Sequence, residues 1–208
     1  MRQRTGLLHE AAERTGIVAA LLRGQATRAG YACYLRNLLP AYQALELALR
    51  RDDLPALAGL VHPALHRAES IQSDLSTLAG PSWSSTLPLL PAGQRYADRV
   101  VWAAQGGGAR LIAHCYTRYL GDLSGGQVLG RRVAGLFVDC APVLAFTRFT
   151  GIDDLPGFAA AFRGRLDQAA AQAGFSDLIV EEAATAFQLN IDVSNAVMDS
   201  IRPPDCRR

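Results

Sequence analysis

The chain is expected to fold as one all-α domain over residues 1–208, with residues 203–208 as a polar tail. Three observations predict this. Apolar residues recur at three- and four-residue steps through most of the 208 positions, the period of a helix with one buried face. Gly80-Pro81, Gly106-Gly107-Gly108 and the prolines Pro55, Pro63 and Pro156 punctuate the periodic runs. No internal repeat, linker or low-complexity segment divides the chain, and its length suits one domain with a large core.

The elements follow in order. Leu7, Leu8, Ala11 and Ala12, then Val18, Leu21 and Leu22, form an apolar stripe near the N-terminus, with Gly16 as a break point. Thr27 to Leu49 reads as the second helix, with Tyr31, Tyr34, Leu35, Leu38, Tyr42, Leu45 and Leu49 on one stripe; Arg51-Asp52-Asp53 and Pro55 punctuate it. Pro63 to Leu78 is expected to be a helix with proline in its first turn, ending before Gly80-Pro81. Pro88 and several serines mark a loop up to Pro91. Helix resumes from Ala92 to Ala104, Gly106-Gly107-Gly108 stops it, and a long helix runs from Ala109 to Phe137. In residues 138–153, Leu144 to Phe149 fits either a short strand or an extended loop. Pro156 sits in the first turn of a helix reaching Ala173, and Ser176 is the expected N-cap of the last helix, to Ile201.

Composition narrows the function class. Half the residues are hydrophobic and 19% are charged, which is ordinary globular usage. A net charge of +2 does not support nucleic-acid binding. Every basic residue is arginine, a compositional bias. Cys33, Cys115, Cys140 and Cys206 have no zinc-like spacing, and Cys33 and Cys115 lie within helical apolar patterns, so buried free thiols are expected. The start, Met-Arg-Gln-Arg, does not resemble a secretory signal. No run of 18 apolar residues spans a membrane or anchors the chain. A cytoplasmic protein is expected.

The stretch Ala113 to Gln127 organises the rest. It is helical in pattern yet keeps Gly121, Gly125 and Gly126, each costing about 1 kcal/mol relative to alanine in a helix interior. Gly121 and Gly125 share a face, with Asp122 at its edge one turn after Arg118. Bare backbone there would admit a flat, bulky object beside a carboxylate, and would let the helix bend. The bland alternative is close helix–helix packing. Leu123-Ser124-Gly125-Gly126-Gln127 also imitates the signature of ABC-transporter ATPases, but the chain has no lysine and no phosphate loop.

The run Tyr116 to Gln127 resembles the distal-helix signature of the haem oxygenase family, of the biliverdin-producing, soluble bacterial type. From His9 to Gly30 the chain resembles the family's proximal helix and following turn. Leu65-His66-Arg67, Gly80-Pro81, Pro91 to Tyr96, Glu181-Glu182-Ala183, Ala186-Phe187 and Asn190 match further family segments. The resemblance implies haem sandwiched between a proximal and a kinked distal helix. It places His9 as the iron ligand, Glu13 as its hydrogen-bonding neighbour and Ala12 against the haem. Tyr116, with Thr117 beside it, Arg163 and Arg2 fall at haem-contacting or propionate-binding positions, and Phe187 and Asn190 on the last haem-facing helix. Gly6 and Ala159 depart from positions where relatives carry lysine, and Ser194 from one where an aromatic residue is frequent.

The resemblance further implies a reaction in which haem is substrate and cofactor. Molecular oxygen and electrons open it to biliverdin, carbon monoxide and iron, at the α-meso carbon. Gly121 and Gly125 would form a wall without side chains. Asp122 would order water that delivers protons to the reacting oxygen, with Arg118 and Tyr42 fixing that network. A ferredoxin, a flavodoxin or a flavin reductase would supply electrons. From the residues alone, His114, near the Gly121 face by helical-wheel arithmetic, and the pair His62 and His66 remain as other metal-binding candidates. Other classes are a haem carrier or sensor without turnover, a helical enzyme acting on thiamine-type pyrimidines, and a di-iron bundle, which lacks its Glu-x-x-His motifs here.

Overall fold

Helices account for all the regular structure of the described residues. The computed structural model describes residues 2–51, 53–105, 107–140, 144–174 and 176–202, without the side chains of residues 2–4, 55, 56 and 176. The expected N-cap side chain of Ser176, the Arg2 side chain, Cys206 and the 203–208 tail therefore lie outside the described residues. The helices are α1 (Arg2–Arg14), α2 (Gly16–Leu22), α3 (Arg28–Leu49), α4 (Ala68–Ala79), α5 (Trp83–Thr86), α6 (Pro91–Ala103), α7 (Ala109–Cys115), α8 (Gly121–Leu136), α9 (Leu155–Ala173) and α10 (Ser176–Ile201). Short 3₁₀ turns occupy Pro55–Leu60 and Pro63–Leu65, and a π-helical segment, Tyr116–Leu120, joins α7 to α8.

α3 and α10 form the spine. α3 packs on α4 and α6, and α10 packs on α1, α2, α3, α6 and α7. Between them, Tyr31, Leu35, Leu38, Tyr42 and Leu45 of α3 are buried with Tyr96 of α6 and Val193 and Val197 of α10. The caps follow from local chemistry. The Thr27 hydroxyl accepts from the Gly30 amide at the start of α3, and the Asp154 carboxylate accepts from Gly157 N–H at the start of α9. Cys33, Cys115 and Cys140 are buried free thiols, as expected of the first two, and burial pushes the Cys115 thiol up to about 12.

The N-terminal stripe does break at Gly16. Thr15 is extended, and Gly16 takes φ +57°, where a Cβ would lie 2.4 Å from the Ser194 backbone. Left-handed φ and the close approach to α10 both demand glycine.

The helix expected from Pro63 to Leu78 begins later, at Ala68. His66 is extended, and the N-terminus of α4 is capped from another helix: the Glu46 carboxylate of α3 accepts from the amides of Arg67 and Ala68, at 2.5 and 2.9 Å. Glu46 is 5% exposed. Glu46→Ala strands two buried donors and is expected to cost about 2–4 kcal/mol in chemical denaturation, with Glu46→Gln losing less because it keeps an acceptor. The loop before Pro91 contains the one-turn α5. Leu144 to Phe149 forms no strand. Asp74 accepts from the amides of Ala145 and Phe146, and Arg67 donates to the carbonyls of Phe146 and Arg148, fixing it as a turn against α4.

Candidate functional site

A cleft runs between α1 and α8, floored by α3 and closed at one side by α10. It encloses about 910 Å³ of free space, part of it open to solvent, and its lining is mostly apolar. An apolar lining with a few convergent polar groups is usual for a small-molecule or cofactor site. α1 contributes His9, Ala12 and Glu13; α8 contributes Gly121, Asp122, Gly125 and Gly126; α10 contributes Phe187 and Asn190.

The glycines do not serve helix packing. A Cβ on Gly121 or Gly125 would meet nothing within 4 Å, whereas one on Gly130 would come 2.6 Å from Thr147 Oγ1. Gly130 is glycine because a neighbour presses on it; Gly121 and Gly125 face open space. Gly125→Leu should therefore leave the fold intact and relieve the helix cost of glycine, so that unfolding free energy holds or rises by up to about 1 kcal/mol. The same side chain should fill the cleft, and ligand titration should show affinity lost.

The π segment sits immediately before this wall. One extra residue per turn widens the helix there and resets the register between α7 and α8. His114 consequently does not share the Gly121 face. It is fully buried, and its Nε2 pairs with Glu182 at 3.0 Å. Arg99 grips the same carboxylate at 2.9 and 2.6 Å. Burial alone would raise Glu182, but His114 and Arg99 hold it down at about 2, while burial pushes the His114 pKa down against the pull of Glu182. His62 is also committed: its Nδ1 accepts from the Ala64 amide, capping a 3₁₀ turn. No group of three or more His, Cys, Asp or Glu is placed to hold a metal among the described residues.

His9 is the histidine that lines the cleft. Its side chain is 52% exposed, Nδ1 lies 3.8 Å from Glu13 Oε1, and Phe187 meets the ring edge-on at 5.8 Å between centroids. Opposite, Asp122 is half-buried and its Oδ2 accepts from the Tyr42 hydroxyl at 2.6 Å. The Arg118 guanidinium lies over the rings of Tyr42 and Tyr96, at 5.6 and 5.9 Å. Burial pushes the Asp122 carboxyl up to about 6, although Arg118, the Tyr42 hydrogen bond and Arg67 each pull it down. Asn190 donates to Tyr96 Oη at 3.2 Å and to the Ala186 carbonyl at 2.9 Å. Two buried polar atoms of cleft residues, Arg118 Nε and Asn190 Oδ1, have no protein partner. Buried polar groups are normally satisfied, so these two suit a ligand or ordered water. A flat apolar ring carrying a metal fits this set: one imidazole, a bare wall facing it, and unspent polar groups at the edge.

Other expected contacts lie apart from the cleft lining. Thr117 is buried and its hydroxyl donates to the Ala113 carbonyl. Tyr116 contacts Phe187 edge-on, and its hydroxyl sits 3.4 Å from Thr5 Oγ1. Arg163 is exposed on α9. The lining also includes Tyr34, Leu38, Phe146 and Thr147, none of which is singled out as a site residue from sequence. Tyr34, Leu38 and Tyr42 follow at four-residue steps on α3, and two tyrosines eight apart on one apolar stripe are a readable signal. Phe146 and Thr147 carry none, because long-range hydrogen bonds place them.

Comparison with known proteins agrees with this geometry. A family model described as Heme oxygenase matches residues 1–196. Heme oxygenase 1 of Homo sapiens is 35% identical over 198 residues, covering 93% of this chain and 68% of that protein. Heme oxygenase 1 of Synechocystis sp. is 34% identical over 196 residues, covering 94% of this chain and 82% of that protein. Among solved structures, the heme complex of heme oxygenase-1 from that cyanobacterium superposes with a TM-score of 0.85 at 34% identity, covering 96% and 90% of the two chains. Heme oxygenase from Leptospira interrogans gives a TM-score of 0.87 at 28% identity, covering 94% and 97%.

Proposed function

The chain belongs to the haem oxygenase family and is an oxidoreductase acting on haem, and from that premise we propose which residues of this single domain carry the reaction. Haem, substrate and prosthetic group at once, supplies the iron at which molecular oxygen is activated on the way to biliverdin, carbon monoxide and free iron. The cleft walled by Gly121 and Gly125 with His9 facing it is the observation that carries the reading.

His9 holds the iron. Glu13, beside Nδ1, would orient the ring and leave Nε2 for the iron, as outer-shell carboxylates do for metal-bound imidazoles. Phe187 packs edge-on against the imidazole, and Ala12, in the cleft lining, would lie against the haem. Across the cleft, the glycine backbone would let the haem approach α8 without a side chain intruding. Tyr42 donates to Asp122 Oδ2, which fixes the carboxylate and leaves Oδ1 for an ordered water. Arg118 and Asn190 present the unpartnered Nε and Oδ1 that extend this water chain, and Asp122, tuned toward neutrality, passes a proton along it. Arg2, Tyr116 and Arg163, with Thr117 shaping the helix beneath, seat the propionate edge. A ferredoxin, flavodoxin or flavin reductase delivers electrons, which puts the reaction in the cytoplasm, where such carriers are reduced. No helix of the described residues is long and apolar enough to cross a membrane.

Purified protein titrated with haemin should give a Soret band of histidine-ligated haem, and a reductant system under oxygen should convert it to biliverdin. A haem complex that stays unconverted would instead support a carrier of the same fold. Propionate seating has its own readout. Arg163→Ala should raise the share of a non-α biliverdin isomer several-fold on chromatography, since about 1.4 kcal/mol is already a tenfold change in population. An unchanged isomer ratio would remove Arg163 from the seat.

A further inference from the structure

The ring of His9 is held lightly. It is half exposed, its Glu13 contact is 3.8 Å, and the ring it meets is that of Phe187, edge-on. Glu13 turns the ring but is carried by the same helix, so where the imidazole meets the cleft follows from where α1 lies as a body. α1 is tied to the rest of the chain by its packing on α10 and by the break that joins it to α2.

That break is built on one side chain. The Ser194 hydroxyl of α10 donates to the Thr15 carbonyl at 2.9 Å and accepts from the Val18 amide at 3.1 Å. A single oxygen thus bridges the end of one helix and the first turn of the next, two sets of backbone groups that a helix interruption leaves short of partners. The fit around it is tight. Ser194 is 1% exposed, and a Cβ on Gly16 would lie 2.6 Å from its Oγ and 2.4 Å from its carbonyl. α1 can meet α10 here only because Gly16 has no side chain and residue 194 has a small one. Phe187, which touches His9, lies two helical turns before Ser194 on the same helix, so α10 fixes both ends of α1's approach.

We propose that Ser194 is a positioning residue for His9, latching the α1–α2 break so that the imidazole meets the cleft at one height and tilt. The inference rests on His9 being the iron ligand. Loss of the hydroxyl frees the Val18 amide and one lone pair of the Thr15 carbonyl, loosening the hinge without removing any group from the cleft.

The test uses the full chain loaded with haemin. Wild type and Ser194→Ala are compared by the iron–histidine stretching line of the ferrous form in resonance Raman, by the rate of haem transfer to apomyoglobin, and by denaturation of the haem-free protein. Ser194→Ala, which removes only the hydroxyl, is expected to shift or broaden the line and to speed haem release about two- to tenfold, the worth of about one buried hydrogen bond. A Ser194→Ala protein with lowered stability but the wild-type line and release rate would overturn the proposal, because a purely structural serine behaves that way. His9→Ala, run alongside, separates the two readings. If it keeps the histidine line, the ligand assignment and the latch fall together; if it loses the line while Ser194→Ala is silent, the latch alone falls.

Discussion

His9→Ala is expected to bind haem weakly and to form biliverdin at least about two orders of magnitude more slowly, with added imidazole partly restoring the ligand field. The scale follows from the ligand shell. Losing an outer-shell partner of a metal-bound imidazole costs about 10- to 100-fold, so Glu13→Ala should sit within that span and loss of the ligand itself beyond it. Restoration by free imidazole is expected because the cleft is open to solvent at the half-exposed His9 side. The competing histidine makes the test sharp. His114 is fully buried and bonded to Glu182, and burial holds it toward the neutral form. A histidine-ligated spectrum that survives in His9→Ala and vanishes in His114→Ala would require the α7–α10 core to rearrange around haem, and would end the assignment of His9.

The contrast between these two histidines shows what a sequence can carry. His9 is recognisable because its partner is local: Glu13 is one turn on, and the family match around both is continuous. His114 looks eligible on a regular helical wheel only because the π segment at Tyr116–Leu120 is invisible in the residue pattern. A π turn needs no special residue, so no spacing betrays it, yet it moves every upstream side chain relative to Gly121. The bend near the glycines is legible as a possibility; its location in the residues before them is not.

Fold elements divide the same way. The break at Gly16 is readable from a glycine in a stripe, the α3 start from the apolar period that opens at Thr27 and the α9 start from Pro156 in its first turn, and the caps that the structure adds there, Thr27 and Asp154, lie within three residues of the amides they accept from. The delayed start of α4 is not readable, since its cap is Glu46, 21 and 22 residues upstream of the amides it accepts from. The turn that carries Phe146 and Thr147 into the cleft hangs on Asp74 and Arg67, more than 70 residues away. Ser194 is the plainest case. From sequence it is a departure from a position where relatives often carry an aromatic residue, whereas in the fold its hydroxyl bridges Thr15 and Val18 across the break after the helix that carries His9.

Asp122→Asn is expected to make the haem-free protein more stable at neutral pH while cutting biliverdin formation about 100-fold or more. Two observations carry this. Burial pushes the Asp122 carboxyl up to about 6, against the pull of Arg118, Tyr42 and Arg67, whereas an unfolded aspartate titrates near 3.9. The folded state therefore binds the proton more tightly than the unfolded state. Stability from this group is fullest below about pH 4 and falls as pH rises from about 4 to about 6, because the folded protein must then hold a carboxylate it solvates poorly. By pH 7 the accumulated cost is on the order of 2–3 kcal/mol, one pKa unit being about 1.4 kcal/mol. Asparagine keeps an acceptor for the Tyr42 hydroxyl but carries no charge, so it should recover most of that cost at pH 7 and almost none at pH 4. Catalysis should move the other way. The substituted amide cannot gain or lose a proton in this range, and positioned acid–base groups are worth about 10²–10⁴-fold. The wild-type rate should show an inflection near pH 6 that Asp122→Asn lacks. Denaturation curves at pH 4 and pH 7, with single-turnover biliverdin yields across the same range, decide it. A variant that turns over at the wild-type rate would remove the proton-handling role, and a stability gain equal at both pH values would show that charge burial is not its source.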